Sequence, residues 1–409
     1  MRLPPAPRPD TGVAKLAVVL GVVLAVLVGG TGALLLSGSG SSLAAVGIGP
    51  TPTSAPPVGF ELVGGRGRTV PWSKPLAFTV ANGTITAVAV AGPGGRVLPG
   101  VLSATKWTSI GSLLPGQAYV LQAQVKDDNG KTSRVARTYR ASAADSVLDA
   151  TLSPGDGNIV GVGQPLVVRF DQQVKGVVAR RAVLTRLQVT TTPAVVGAWR
   201  WYDSFEVHYR PTTYWKSGTK VGLRADLNFL RLPGTATWGT SRTRTTHFVI
   251  GKDYTSLVDV TAHVMTVRLD GKLIRTIRVS TGRDKYPTKG GVHIILDREK
   301  TQLYNSATVG IPTASPDGYY EHLPWSMRIS NGGAFVHANP ATVGVQGRFN
   351  VSHGCVNTSV TDAQWFYDHS QLGDVVTIVH AAVGPLVSDA GMYDWNIPWA
   401  QWKTGNLNG

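Results

Sequence analysis

After residue 58 apolar residues recur at every second position, in short runs broken by Gly, Pro, Asn and Asp. This pattern restricts most of the chain to folds made of short strands. Leu76, Phe78 and Val80 alternate with polar neighbours. Tyr119, Leu121, Ala123 and Val125 do the same and run into Asn129-Gly130, a dipeptide that tolerates the positive φ of a hairpin turn. The same grammar restarts near residue 146. Leu166, Val168 and Phe170 share one face, Phe205, Val207 and Tyr209 another, with Gly/Pro/Asp clusters at 153–157 and 161–165 between runs. Two units, 59–145 and 146–250, therefore read as immunoglobulin-like β-sandwiches. With one cysteine in the chain, the Cys…Trp…Cys hallmark of antibody domains is absent, so the likeness is architectural. Trp199, Trp201 and Trp215 read first as core aromatics, with a docking platform as the sharper alternative.

A third unit, 251–383, opens with Met265, Val267 and Leu269 in alternation, a turn at Asp270-Gly271, and Leu273, Ile277 and Val279 after it. Ser359-x-x-Asp362 is a capping box, which predicts a helix to about Ser370 with Ala363, Phe366 and Tyr367 facing the core and Gly373 as its stop. The expected fold class is mainly β: two sandwiches, then a mostly-β domain with one clear helix. The tail 384–409 carries Trp395, Trp399 and Trp402, spaced to pack back on this third unit.

The N-terminus is of another kind. Residues 16–36 form 21 positions without a charge, preceded by Arg2, Arg8 and Lys15. That is long enough to cross a hydrocarbon core of about 30 Å, and the basic flank places the first residues in the cytoplasm. Segment 1–36 is expected to be an uncleaved membrane anchor, with cleavage near Ala44–Ala45 as the alternative. Residues 37–58, rich in Ser, Gly, Pro and Thr, read as a linker. The folded units are then expected on the outer side of the cell membrane.

Net charge is +15, which favours acidic partners. No run of five like charges, zinc-finger spacing or RNA-binding signature accompanies it, so no nucleic-acid partner is expected. The single cysteine, Cys355, forms no internal disulfide and starts no structural zinc site. It sits in Ser352-His353-Gly354-Cys355-Val356-Asn357, 18 positions after His337. A free thiol is only a few per cent thiolate at neutral pH, so a nucleophilic cysteine needs a base. His337 precedes a long loop that can fold back to meet Cys355. His353 lies two positions away and can line the site. Gly354 permits a sharp turn whose backbone N–H groups can hold an oxyanion. Nucleophile, base and oxyanion donors together point to acyl transfer through a thioester. An inert buried cysteine is the plain alternative, though the flanking Ser, His and Asn are too polar for a core run. A metal site from His337, His353 and Cys355 is a further alternative without an acidic base beside it.

A His followed after a loop by Ser-His-Gly-Cys-x-Asn resembles the active-site motif of the L,D-transpeptidase family (YkuD-type catalytic domain). The likeness extends to residues 263–282, Tyr286-Pro287-Thr288, Gly318-Tyr319, Phe335-Val336-His337, residues 343–347 and 363–369, and the tail 394–402. It covers roughly residues 146–405, and 59–145 resembles the additional Ig-like unit of longer actinobacterial members. The resemblance implies an acyltransferase that acts on peptidoglycan stem peptides without metal or organic cofactor. The cysteine displaces the terminal D-Ala of a tetrapeptide donor, and a side-chain amine of an acceptor stem resolves the thioester to a 3→3 cross-link. It implies Cys355 as nucleophile, His337 as base, and the Ala338 carbonyl as the group that orients the imidazole. The amides of His353, Gly354 and Cys355 match the oxyanion hole, with Ser352 and Asn357 in support. Tyr319 falls in the lid over the donor, and Trp325 and Phe335 are assigned to the substrate side. Carbapenems are the implied inhibitors. Ala341 and Val309 depart from residues common in the family and touch the acceptor side and lid. An L,D-carboxypeptidase or a protein-to-peptidoglycan ligase would use the same thioester, and a non-catalytic wall-binding protein is the reading from another class.

Overall fold

The computed structural model describes residues 57–385 and 393–408. Among them no helix is long and apolar enough to cross a membrane, and the 16–36 segment lies outside them. The first unit is a sandwich of two four-stranded sheets. One sheet orders Gly59–Val63, Ala77–Ala81, Lys106–Ser109 and Gly100–Leu102; the other orders Thr69–Val70, Thr132–Ala141, Ala118–Asp127 and Gly83–Ala91. Along Ala118–Asp127 burial alternates strictly, so Tyr119, Leu121, Ala123 and Val125 all reach the core. There they meet Phe78, stacked between Phe60 at 4.8 Å and Trp107 at 5.6 Å.

The second unit repeats the arrangement. Ala150–Ser153, Leu166–Phe170, Glu206–Pro211 and Gly197–Trp201 face Ile159–Val160, Arg244–Ile250, Lys220–Ala225 and Leu187–Thr192. Trp201 and Trp215 are core residues, and Trp199 packs edge-on against Tyr209 at 5.3 Å, as the plain reading of these aromatics expects. A short helix, Val177–Leu184, interrupts the all-β pattern expected here. Its Ala179, Arg180 and Val183 recur at helical spacing and are buried, and Arg180 binds the carbonyls of Val174 and Asn406.

In the third unit a five-stranded sheet orders Lys272–Arg278, Val264–Leu269, Tyr254–Asp259, Val375–Val379 and Gly291–Ile294. Asp270 (φ 49°) and Gly271 (φ 77°) make the first hairpin, both in the left-handed region their residue types tolerate. A four-stranded sheet orders Asp297–Asn305, Tyr320–Arg328, Phe335–Ala338 and Val356–Thr358. The two sheets and the helix Val360–His369 enclose Met265, Val267, Ile277, Met327, Val336, Val356 and Phe366. Ser359 caps that helix by accepting from the Asp362 N–H at 3.1 Å.

The tail corrects an expectation. It packs chiefly on the second unit rather than on the third. Trp402 Nε1 donates to the Ala198 carbonyl and Trp395 Nε1 to that of Gly163. The Arg210 guanidinium lies 4.6 Å from the Trp395 and Trp402 ring centres. His208, fully buried, is clamped between Asp394 and Glu206. A buried Arg and a buried His on the Glu206–Pro211 strand attract indole faces and a carboxylate. The third unit's share is Asn396, which pairs both ways with the Val292 backbone.

Candidate active site

The site lies on one face of the four-stranded sheet. Phe335–Ala338 runs parallel to Val356–Thr358, with Val336 opposite Val356 and His337 opposite Asn357. Alternation sends Val336 into the core and turns Phe335 and His337 to the other face, where Tyr304 and Leu323 line a small cluster. Cys355 stands one residue before its strand and joins that cluster beside Phe335. The parallel register therefore puts thiol and imidazole on the same face, on neighbouring strands.

Ser352–Cys355 is a turn rather than strand, so His353 does not share the cysteine's face by strand periodicity. The Ser352 hydroxyl accepts from the Gly354 N–H at 3.1 Å and donates to the Cys355 carbonyl at 2.6 Å. Gly354 has φ +117°, a value that demands glycine although a Cβ would meet only the Pro287 and Tyr286 carbonyls, at 3.9 and 4.0 Å. Its carbonyl accepts from Thr288 Oγ1 at 3.0 Å. Asn357 is buried, exchanges backbone hydrogen bonds with Ser280, and reaches Thr342 Oγ1 at 3.4 Å.

Thiol and imidazole are both held as neutral groups, on the same face of the sheet but with separate hydrogen-bond partners. His337 is 3% exposed, and burial pushes its pKa down to about 4. Its Nδ1 lies 2.8 Å from the Ala338 carbonyl, which can only accept, so Nδ1 carries the proton and Nε2 is left free to take one. Cys355 keeps partial exposure as a residue, but its sulfur is packed against Tyr304, Leu323 and Phe335. Burial pushes the thiol up to about 11, against a lowering pull from the Phe335 backbone and Arg328. The thiol donates to the Gly333 carbonyl at 3.7 Å.

Residues 306–319 form the expected lid segment, which comes against the Cys355 side of the site. Tyr319 rests on His353 with ring centres 5.0 Å apart and packs on the Cys355 cluster. Val309 stands where a Cβ on Gly333 would touch it at 2.9 Å, so the lid comes down beside the carbonyl that holds the thiol. Ala341 is exposed in the loop after His337. Trp325 is a correction. Its ring packs on Tyr367 of the helix at 5.3 Å, on the opposite side of the sheet from Cys355. The left-handed backbone at Trp325 (φ 53°) breaks the alternation, so Leu323 faces the site while Trp325 turns away.

Sequence reasoning did not single out Tyr304, which packs edge-on against Phe335 at 5.0 Å and tilted against His337 at 4.7 Å and donates to Ser326 Oγ at 2.9 Å. Burial raises its pKa, so it stays a neutral wall. Only the pairing of Asp297–Asn305 with Tyr320–Arg328 brings it here, and no local pattern announces that register. Among the described residues no group of three His, Cys, Asp or Glu side chains is placed to hold a metal.

A carbonyl-anchored neutral histidine beside a lone thiol, on the face of a mostly-β domain, defines a cysteine acyltransferase. Residues 253–378 match the L,D-transpeptidase catalytic domain and residues 67–230 match the bacterial Ig domain. The chain belongs to the L,D-transpeptidase family. It is 37% identical over 334 residues to L,D-transpeptidase 2 of Mycobacterium tuberculosis, covering 81% of this chain and 80% of that protein. It is 30% identical to L,D-transpeptidase 5 of the same species, covering 86% and 77%. A solved structure of the L,D-transpeptidase LdtMt1 in complex with imipenem superposes with TM-score 0.49 at 32% identity, covering 56% of this chain and 98% of that one.

Proposed function

We propose that this enzyme forms 3→3 cross-links in peptidoglycan, with Cys355 as nucleophile and His337 as general base. In acylation Sγ bonds to the donor carbonyl of the diaminopimelate L-centre and the bond to the terminal D-Ala nitrogen breaks. The thiol proton passes to His337 Nε2 and on to the departing amine. In the second half an acceptor side-chain amine bonds to the thioester carbon, the C–S bond breaks, and the amine's proton returns through His337 to sulfur. The observation that carries this reading is the hydrogen bond from His337 Nδ1 to Ala338, which fixes the tautomer a base requires.

Burial pushes the thiol up to about 11 and the imidazole down to about 4, and both shifts oppose an ion pair before donor binds. Proton transfer is therefore coupled to attack on bound donor rather than completed beforehand. The developing oxyanion falls to the amides of His353 and Cys355 first, because that of Gly354 is already held by Ser352. Tyr319 and Phe335 form the donor walls, and Ser352 and Asn357 hold the turn. The 16–36 segment is proposed to anchor the enzyme in the cell membrane, with the folded units outside. Carbapenems are proposed to acylate Cys355.

Full-length enzyme incubated with a tetrapeptide muropeptide should release D-Ala and yield a dimer with a 3→3 linkage, identified by mass spectrometry. Cys355→Ala should do neither. Monomeric tripeptide alone would replace this reading by a carboxypeptidase, and full activity of Cys355→Ala would end it.

A further inference from the structure

One charged cluster at the site has no part in the chemistry above. Asp317 lies two residues before Tyr319. Its carboxylate accepts from Arg283 Nη2, from Lys285 Nζ at 2.5 Å and from the Tyr286 hydroxyl at 3.0 Å. These three donors belong to one segment, 283–286, which is itself bound to the catalytic turn. The Arg283 N–H donates to the Ser352 carbonyl at 3.0 Å, and Arg283 Nη2 reaches His353 Nε2 at 2.9 Å. The His353 ring also packs on Tyr286 at 4.8 Å. Lid, 283–286 segment and catalytic turn thus close a ring with the Asp317 carboxylate at its centre. Lys285, ahead of the other donors, holds that carboxyl below its ordinary range, so it is ionised wherever the enzyme works.

The two ends of the lid are pinned to each other, since the Ser306 N–H donates to the Tyr319 carbonyl at 3.0 Å and the Tyr319 N–H donates to Ser306 Oγ at 3.1 Å. That pinning fixes the loop's base but not its approach to the turn. A carboxylate carrying two cations and a phenol supplies the approach, with the directionality of charge-assisted bonds. The Asp317 side chain is 24% exposed and Lys285 more so, which suits a latch that must release when a donor enters.

We propose that Asp317 is a positioning residue that latches the lid, 306–319, over Cys355 and so sets Tyr319 and His353 as the walls of the donor subsite. The proposal rests on the reading of Cys355 as nucleophile. Water and salt compete for an exposed latch, so it weakens with ionic strength. Its loss acts on how firmly donor is held, not on the proton transfer at His337.

The test compares wild-type full chain with Asp317→Asn and Asp317→Glu. Amide exchange of 306–319 should quicken roughly fivefold in Asp317→Asn, and tetrapeptide KM should rise by a similar factor with kcat within about twofold. Asp317→Glu, which keeps the charge, should recover most of both. Raised ionic strength should raise the wild-type KM and leave that of Asp317→Asn nearly unchanged. Unaltered lid exchange in Asp317→Asn would overturn the latch, and faster exchange without a KM change would overturn its positioning role. Intact mass after carbapenem treatment of wild type judges the nucleophile separately: a missing Cys355 adduct would sink that reading, while lid exchange would still decide the latch.

Discussion

His337 is the residue on which solvent exclusion acts most plainly. Its pKa near 4 lies below the ordinary 6.5, so between those values the unfolded chain binds a proton that the native one refuses. Stability is full above 6.5 and is lost as pH falls toward 4. The slope is about 1.4 kcal/mol per pH unit. His337→Gln removes that titration, so urea unfolding at pH 7, 6 and 5 should show the variant gaining on wild type as acid is added. A constant difference would mean that the imidazole is wetter than its surroundings indicate. The same depression predicts that kcat/KM keeps its value down to about pH 5 and falls with an acid limb near 4. A limb near 6.5 would show that the lid stands open in solution. That Cys355 and His337 come to one face was legible in sequence because one loop joins them and a thiol nucleophile needs a base nearby, whereas the Ala338 carbonyl came only with the family resemblance. Tyr304, Arg283 and Asp317 were not legible, because each arrives from a distant segment through sheet register or an ion pair. Trp325, assigned to the substrate side from the sequence, is turned toward the helix by a left-handed backbone, φ 53°, that no local pattern announces.

Among the elements, the tail shows how a buried charge directs packing. The Glu206–Pro211 strand alternated well enough to be read as a strand, yet His208 and Arg210 on it are buried. Burial works against a charged His208, but Asp394 and then Glu206 overcome it and raise its pKa to about 10. The clamp therefore contributes fully below pH 6.5 and is lost as pH rises through 10. Asp394→Ala leaves a buried imidazolium with one partner and should cost about 3 kcal/mol in urea unfolding at pH 6. That cost should shrink as pH is raised toward 10. A loss below about 0.5 kcal/mol would mean that the indoles hold the tail without the ion pair. Sequence spacing announced three tryptophans that pack back, but nothing local said on which unit. The choice was made by two cationic side chains that looked like ordinary strand positions. The helix Val360–His369, by contrast, carries its cap and its buried face in local sequence and ends within one residue of expectation, although Ser370 and not Gly373 caps its end.

At the scale of the molecule, the three units are joined by two unlike contacts. The second and third approach backbone to backbone: Gly161 and Gly163 donate to the Leu372 and Gly373 carbonyls at 2.7 and 2.9 Å. A Cβ on Gly161 would lie 2.2 Å from the Asp374 nitrogen. Ile294 and Val375 of the third unit belong to the second unit's core cluster. These units should melt as one. The first is attached differently. Trp238, from the second unit, inserts into the first unit's core and meets Trp72 edge-on at 5.6 Å. Beside it Thr237–Gly239 pairs with the connecting strand Ser146–Leu148. Truncating that indole removes a core aromatic from the first unit and leaves the second unit's own cluster intact, so Trp238→Ala should destabilise the first unit by about 3–5 kcal/mol. Calorimetry should then show an early transition split from a main transition at the wild-type temperature, while carbapenem acylation of Cys355 keeps its rate. A single transition moved down as a whole would instead mean that all three units fold as one. The first unit would then support the catalytic domain's stability, beyond any role as a spacer.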